Sequence, residues 1–334
     1  ENRKQYRTKQ KTMKNEMVNE LIGVMRERIP KGSNLANSLM EILCMGKEAI
    51  YRRLRGEVAF TFEEVSLISQ HLGISLDKIV GRRMLNDTMF DLNLLHTGDP
   101  IESYYEILVR YAKLFDLLRD DPTASVATAS NLIPFTFYSP YECLSKFRLG
   151  RWIYHHGKMK PPASLSDLQV PDKVPQMHWK LSASIRQLSH TSFIWDYNIF
   201  RSIVKEIRYF AGLDLLSAED VRNMKKELGL LLSELEAVTM TGEFSKGHSL
   251  AIYLSDINFE ATYTYVEKGD FQACLFRVYS INSMDSQNPR MCNIQKNWIQ
   301  SLKRHSTLIS QSSEIQRRQF FNEQREIVES LQEA

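Results

Sequence analysis

Apolar residues recur at helical spacing near the start of the chain. Between residues 13 and 29 they stand three or four positions apart, and Pro30 and Gly32 follow. This spacing predicts an amphipathic helix with one apolar face, and the proline and glycine predict where the helix ends. The preceding residues 1–12 are polar, basic and aperiodic, so we predict a flexible basic arm there.

Two further helices and a tight turn are predicted after residue 38. Leu39, Met40 and Leu43 mark the inner face of a short helix. The stretch Cys44-Met45-Gly46 that follows predicts a tight turn. Its glycine can begin the next helix without a steric penalty.

The helix after this turn is predicted over residues 47–55. Ile50 and Leu54 lie four positions apart and therefore share one helix face, which we expect to be buried. Gly56 suits the left-handed backbone that often ends a helix. The polar residues between the two apolar positions are consequently predicted to face outward.

A second set of start and stop signals follows closely. Thr61 and Glu64 have the spacing of a capping box, Gly73 can end the helix that the box begins, and Ser75 can cap another. Several independent local signals agree within residues 39–81. Such agreement predicts a compact bundle of short helices.

This ordered set of signals resembles the XRE (Cro/repressor-type) helix-turn-helix family. Four positions match the first half of the family pattern: Leu39, Leu43, Ile50 and Gly56. The second half is matched by Leu72-Gly73-Ile74-Ser75-Leu76. Three positions depart from the pattern, with Met40 for a small alanine, Cys44 for the turn glycine and Gly46 for a serine or threonine cap.

The resemblance implies that residues 13–81 form a domain that binds double-stranded DNA. In this family the second helix of the motif enters the major groove, where base pairs present distinct hydrogen-bonding groups. The family's base-contacting positions fall on four residues: Lys47, Glu48, Tyr51 and Arg52. Phosphate contacts fall on Arg53, Arg55 and the backbone N–H of Gly56. A solvated helix face is the alternative explanation of the same charges. The resemblance also implies a homodimer.

The distribution of charge favours nucleic acid at one end of the chain. The net charge is only +3, but residues 1–83 hold 16 Lys and Arg against 10 Asp and Glu, and the remainder holds 27 against 30. A basic end on a mildly acidic remainder is typical of a protein with a polyanionic partner. The arm at residues 1–12 can add DNA contacts, or it can be an inert tail.

The rest of the chain is predicted to be largely helical. We expect a linker over residues 82–98, a helical middle region over 99–245 and an α+β portion over 246–334, which contains alternating apolar and polar residues typical of strands. The predicted fold class is therefore mainly α. It comprises a lambda-repressor-like helix-turn-helix bundle, a helical middle region and a C-terminal α+β portion with a short antiparallel sheet.

The middle region is also rich in aromatic side chains. These are Phe135, Phe137, Tyr138, Tyr141, Phe147, Trp152, Tyr154, Trp179, Trp195 and Tyr197. They can line a pocket for an unidentified small-molecule effector. Ordinary packing in a helical core is the simpler explanation of the same residues.

Several classes of protein are disfavoured by the sequence. The cysteines at positions 44, 143, 274 and 292 have no zinc-site or redox-pair spacing, and this pattern favours a reducing bacterial cytoplasm. The apolar runs are too short for a membrane helix, and the basic N-terminal residues are not followed by the apolar block of a secretory signal. Because no GxSxG, HExxH, Walker or GxGxxG string occurs, we expect no catalytic residues, no metal and no cofactor.

Two functions remain from the sequence. The first is a sequence-specific, dimeric transcriptional regulator with a large C-terminal regulatory or dimerisation region. The alternative is a protein-interaction module, antitoxin-like or partner-binding, that uses the same helical end of the chain. Residues 47–55 carry four basic side chains against one acidic side chain, which favours DNA. A weaker third interpretation is an enzyme that regulates its own synthesis.

Overall fold

The computed structural model describes residues 18–26, 28–29, 34–74, 76, 90–93, 99–156, 164–258, 261–278 and 281–331. The chain divides into two compact units, Glu1–Met89 and Phe90–Ala334, here called the head and the body. The division falls inside the linker predicted over residues 82–98. The predicted arm at residues 1–12 lies outside the described residues, as does most of that linker.

Four helices of the head are described. They are α1 over residues 18–26, α2 over Leu35–Leu43, α3 over Lys47–Leu54 and α4 over Phe62–Leu72. Each helix contributes a fully buried apolar side chain to one core: Met25, Leu39, Ile50 and Ile68. These four side chains are buried together, and the removal of their apolar surface from water stabilises this small unit.

Both predicted ends of α4 are observed in their predicted form, whereas Pro30, Gly32 and Ser75 lie outside the described residues. Thr61 accepts a hydrogen bond from the Glu64 N–H, and the Glu64 carboxylate accepts one from the Thr61 N–H, so that α4 begins with a reciprocal capping box. Gly73 ends the same helix with a left-handed backbone, φ 62°. Such conformations favour glycine because it has no Cβ to clash with the preceding carbonyl.

The body contains the remaining described elements. Its helices are α5 Pro100–Leu118, α6 Phe135–Tyr138, α7 Glu142–His156, α8 Lys173–Arg186, α9 Ile199–Ala211, α10 Ala218–Thr241, α11 Pro289–Arg304 and α12 Glu314–Glu329. Its strands are β1 Asp91–Asn93, β2 Ser125–Ser130, β3 His190–Asp196, β4 Glu243–Ser245, β5 His248–Ser255, β6 Tyr263–Lys268, β7 Phe271–Arg277, β8 Ser283–Ser286 and β9 Ser306–Leu308.

These nine described strands form one mixed sheet. Their order is β1-β8-β7-β6-β2-β3-β5-β4, and β9 also pairs with β5. Strands β2, β3 and β5 run parallel, with Val126 beside Thr191 and Phe193 beside Ile252. The other pairings are antiparallel. Along the chain, helices α6–α8 connect β2 to β3, and helices α9 and α10 lie between β3 and β5.

The predicted fold class, mainly α with a short antiparallel sheet, is wrong. The body is an α+β unit built on a large mixed sheet, and two of its central strands lie inside the region predicted to be helical. Strand β2 reads Ser-Val-Ala-Thr-Ala-Ser and is buried along most of its length, as is β3. Parallel strands that are covered on both faces do not show the alternation on which strand prediction depends.

Helices cover both faces of the central sheet. Val126 and Phe193 pack into the large cluster formed with α5–α10 and α12. The neighbouring residues Ala127 and Ile194 point to the other face, where they pack with Ile299 of α11. The sheet and the helices that cover it therefore include residues from both sides of the boundary predicted between residues 245 and 246.

Candidate nucleic-acid interface

A turn of three residues, Cys44-Met45-Gly46, joins α2 to α3 in the head. The Asn34 side chain accepts a hydrogen bond from the Ala36 N–H at 2.8 Å and so caps the start of α2. Cys44 ends α2 with a left-handed backbone, φ 50°, and the Met45 N–H donates to the Met40 carbonyl at 3.2 Å. Gly46 is extended, and α3 begins immediately after it.

Helix α3 has one buried and one exposed face, as its sequence predicts. Ile50 is fully buried in the core of the head. Lys47, Glu48 and Arg52 are exposed, and Tyr51 is half-buried. The Lys47 ammonium lies 5.9 Å from the centre of the Tyr51 ring, within the range of a cation–π contact. The four predicted base-contacting residues therefore share a face that is accessible within the head, while their contact with bases stays a prediction.

Arg53 is held inside the head rather than extended into solvent. Its Nε and Nη2 atoms donate to the two Glu64 carboxylate oxygens at 2.8 and 2.6 Å, and its Nη1 atom donates to the Ala49 carbonyl at 3.2 Å. The side chains of Arg53 and Glu64 are only 14% and 9% exposed. The hydrogen bond from Arg53 also lowers the pKa of the Glu64 carboxyl. This pair therefore ties α3 to the first turn of α4.

Arg55 makes ion pairs of a different kind. Its Nε atom donates to Glu57 at 2.7 Å, and a second nitrogen lies 3.6 Å from Glu48. Arg52 lies 3.7 Å from Glu57. All of these side chains are well exposed. Exposed ion pairs contribute little to stability and are screened by salt, so Arg55 and Arg52 can exchange a carboxylate for a phosphate.

The third predicted phosphate donor has an internal partner. The Gly56 N–H donates to the Arg53 carbonyl at 3.0 Å, and the left-handed backbone of Gly56, φ 75°, closes this turn. Arg55 is thus the predicted phosphate contact whose side chain remains at the surface. Phosphate contacts by Arg53 and Gly56 stay predictions that require an exchange of internal hydrogen bonds.

Sequence analysis did not identify the carboxylates that partner these arginines. Glu64 was expected only as part of a capping box, but it also binds Arg53, and Glu57 had no predicted role. The Arg53–Glu64 pair is formed by the packing of two helices. No local periodicity marks such a contact, and the only available signal was the presence of an acidic residue at the N-terminal end of α4.

Two cysteines that are distant in the sequence meet in the body. The thiols of Cys274, on β7, and Cys292, on α11, both donate to the Ser286 carbonyl, at 3.4 and 3.5 Å. All four cysteines of the chain are free thiols. Within the described part of the chain, no group of three or more His, Cys, Asp or Glu side chains is arranged to hold a metal ion.

Comparison with other proteins adds no assignment to this geometry. No protein-family model, characterised protein or solved structure matches the chain. Among the described helices, none combines the length and the apolar character needed to cross a bilayer.

Proposed function

We propose that the chain is a sequence-specific DNA-binding transcriptional regulator that inserts α3 into the major groove of double-stranded DNA. One observation carries this proposal. A three-residue turn is followed directly by the short helix α3. The buried face of this helix is held in the core by Ile50, and its exposed face carries Lys47 and Arg52. A helix of this kind fits the width of the major groove, and its exposed face can reach base edges.

Each side chain on the exposed face has a role that follows from its chemistry. Lys47 and Arg52 donate to the O6 and N7 atoms of guanine, and Glu48 accepts from the N4 amino group of cytosine. Tyr51 contacts a thymine methyl group or a phosphate. Arg55 binds a backbone phosphate, which positions the helix without distinguishing sequence. Arg53 supports the helix through Glu64.

The regulator is proposed to act as a homodimer in the cytoplasm. A single short helix contacts only a few base pairs, which is too little for specific binding in a genome. Two copies related by a two-fold axis would place two α3 helices in successive major grooves. The expected DNA site is therefore an inverted repeat whose half-sites are separated by about one helical turn, roughly 34–36 Å.

Selection of bound DNA from a random pool tests this proposal. The full chain should enrich an inverted repeat. Its affinity for that sequence should fall as salt rises, because Lys and Arg contacts release counterions from the phosphates. Failure to enrich any sequence, or an affinity that is independent of salt, would contradict the proposal.

The alternative function, binding of a partner protein through the head, is favoured by one observation. Phe62, the first residue of α4, is 83% exposed. Large exposed aromatic side chains are enriched where proteins meet. The same selection experiment distinguishes the two functions. A Phe62→Ser variant should enrich the same inverted repeat as the wild type if DNA is the partner, because Phe62 has no proposed contact with bases.

A further inference from the structure

The body contains a cavity with a mainly apolar wall. Its enclosed volume is about 100 Å³, and it lies between α5, α7 and α8 and the face of the sheet that they cover. Much of the wall is formed by aliphatic and aromatic side chains, including Leu108, Phe115, Val126, Phe193, Leu275 and Ile281. Clefts with a mainly apolar wall and a few polar groups are typical of small-molecule sites.

Two arginines close one end of this apolar cavity. Arg148 of α7 and Arg277 at the end of β7 contribute to its wall, together with Thr262. The same three residues also line an adjoining, more polar cavity of about 270 Å³, whose wall includes Arg151 and Glu206. The apolar and the polar space are thus neighbours, and both are bounded in part by the side chains of Arg148 and Arg277.

The charges at this end are not balanced by the protein. Arg151 is paired with Glu206. Arg148 donates to the Tyr138 hydroxyl at 2.7 Å, and its guanidinium lies 4.2 Å from the centre of the Phe135 ring, but its buried Nε–H has no acceptor among the described residues. Tyr138 and Phe135 hold the side chain in place without supplying a negative charge.

Arg277 has even less compensation. Within the part of the chain that the structure describes, no carboxylate, carbonyl or hydroxyl accepts a hydrogen bond from its guanidinium. Burial, followed by the positive charge of Arg148, lowers the pKa of Arg277 below its ordinary value. A guanidinium stays protonated in proteins, and the Arg277 side chain is half-buried, so its charge is only partly hydrated.

We propose that this cavity binds an organic acid, with its carboxylate between Arg148 and Arg277 and its apolar part against the surrounding aliphatic and aromatic wall. A carboxylate supplies the acceptors that both guanidinium groups lack, and it can bind an arginine through two parallel hydrogen bonds. An inorganic anion would leave the apolar wall empty. A neutral apolar molecule would leave the two charges unpaired.

This site is independent of DNA binding, and its test contains no DNA. Octanoate serves as the probe because it joins one carboxylate to an apolar chain. Two matched compounds isolate its parts: 1-octanol keeps the chain without the charge, and acetate keeps the charge without the chain. Binding to the full chain is measured by isothermal titration calorimetry and by the shift in the thermal unfolding midpoint.

The expected order of affinity is octanoate first, with 1-octanol and acetate each at least about tenfold weaker. Arg277→Gln should weaken octanoate at least about tenfold, while Arg277→Lys, which keeps the charge but loses the paired donors, should fall between the two. The control Arg201→Gln removes an exposed arginine of α9 and should leave the affinity within about twofold.

Three outcomes would overturn the proposal. Equal affinity for octanoate and 1-octanol would show an apolar cavity without an anion site. Equal affinity for acetate and octanoate would show an anion site without an apolar pocket. Absence of octanoate binding to the wild type at millimolar concentration would remove both. If Arg277→Gln fails to fold, the variants Arg277→Lys and Arg148→Lys test the role of the guanidinium groups instead. Octanoate affinity equal to that of the wild type in both lysine variants would contradict the proposal.

Discussion

The head and the body both contain arginine side chains that are partly withdrawn from solvent, but they compensate these charges differently. In the head, Arg53 donates two hydrogen bonds to Glu64, at 2.8 and 2.6 Å. In the body, Arg148 donates to a tyrosine hydroxyl, and Arg277 has no side-chain acceptor among the described residues. The Glu64 carboxylate neutralises the charge of Arg53, whereas Arg148 and Arg277 form no ion pair with a carboxylate of the described residues.

This difference indicates which arginines the fold itself explains. A guanidinium that is paired with a carboxylate and connects two helices contributes to the stability of the fold. An unpaired guanidinium costs stability, because its hydration is lost without replacement. Arginines of the second kind are consequently the better candidates for binding a ligand. In the head, Arg52 and Arg55 make only exposed ion pairs that salt screens, so they are better candidates than Arg53.

The largest expected effect comes from the paired arginine. Arg53→Met should destabilise the head by about 2–3 kcal/mol, because it leaves the Glu64 carboxylate without its partner in a poorly solvated position. Hydrogen exchange of peptides from α3 and α4 in the full chain measures this local loss. Protection equal to that of the wild type would show that the pair contributes nothing, whereas Arg55→Met, which breaks only exposed pairs, should change protection little.

Replacement of an arginine by methionine in the body should increase stability rather than reduce it. Arg277→Met removes a half-buried charge that has no side-chain acceptor among the described residues, and it should raise the free energy of unfolding of the ligand-free body by at most about 1 kcal/mol. All four tryptophans, at positions 152, 179, 195 and 298, belong to the body. Denaturant unfolding followed by tryptophan fluorescence therefore reports on this unit alone, and a clear loss of stability would mean that the protein itself compensates Arg277.

A buried histidine gives the body a pH dependence that the head has no reason to share. His178 lies 3.0 Å from the Tyr104 hydroxyl, and burial, followed by the charge of Arg148, lowers its pKa from 6.5 to about 3. The unfolded chain gains this proton below pH 6.5, whereas the folded chain does not gain it until about pH 3. Stability should therefore fall as the pH decreases between these two values.

The measurement uses the upper part of this interval, where few carboxylates titrate. Between roughly pH 7.5 and about pH 5, the body should lose about 2 kcal/mol of stability from His178. Tryptophan-monitored unfolding at several pH values gives the slope. His178→Asn should flatten it, and His305→Asn, at an exposed position, should not. An unchanged slope in the His178 variant would show that this side chain is not the cause.

The sequence predicted the head better than the body for physical reasons. The capping box of Thr61 and Glu64 and the left-handed Gly73 are local features, so they can be recognised without knowledge of the tertiary structure. Strand β2, with small and apolar residues buried on both faces, resembles a helical segment as closely as a strand. The pairing of Arg53 with Glu64 and the placement of Arg148 and Arg277 in one cavity wall arise only from packing between distant segments.

The smallest expected effect concerns a departure from the family pattern. Cys44 adopts a left-handed backbone, φ 50°, at the end of α2, where the family pattern has glycine. Cys44→Gly should therefore stabilise the head by about 0.5–1 kcal/mol, through relief of the clash between Cβ and the backbone. Increased hydrogen-exchange protection of α2 peptides would support this, and reduced protection would indicate that the cysteine side chain contributes packing of its own.

The central claim, that the exposed face of α3 recognises DNA sequence, has one direct measurement. Fluorescence anisotropy compares affinity for the selected inverted repeat with affinity for random DNA of equal length. Lys47→Ala combined with Arg52→Ala should reduce affinity for the repeat by about 10–100-fold, and most of its preference over random DNA should disappear. The control Arg201→Ala with Lys205→Ala removes the same charge from exposed positions of α9 and should change affinity by less than about twofold. Retention of the full preference for the repeat in the Lys47 and Arg52 variant would contradict the account.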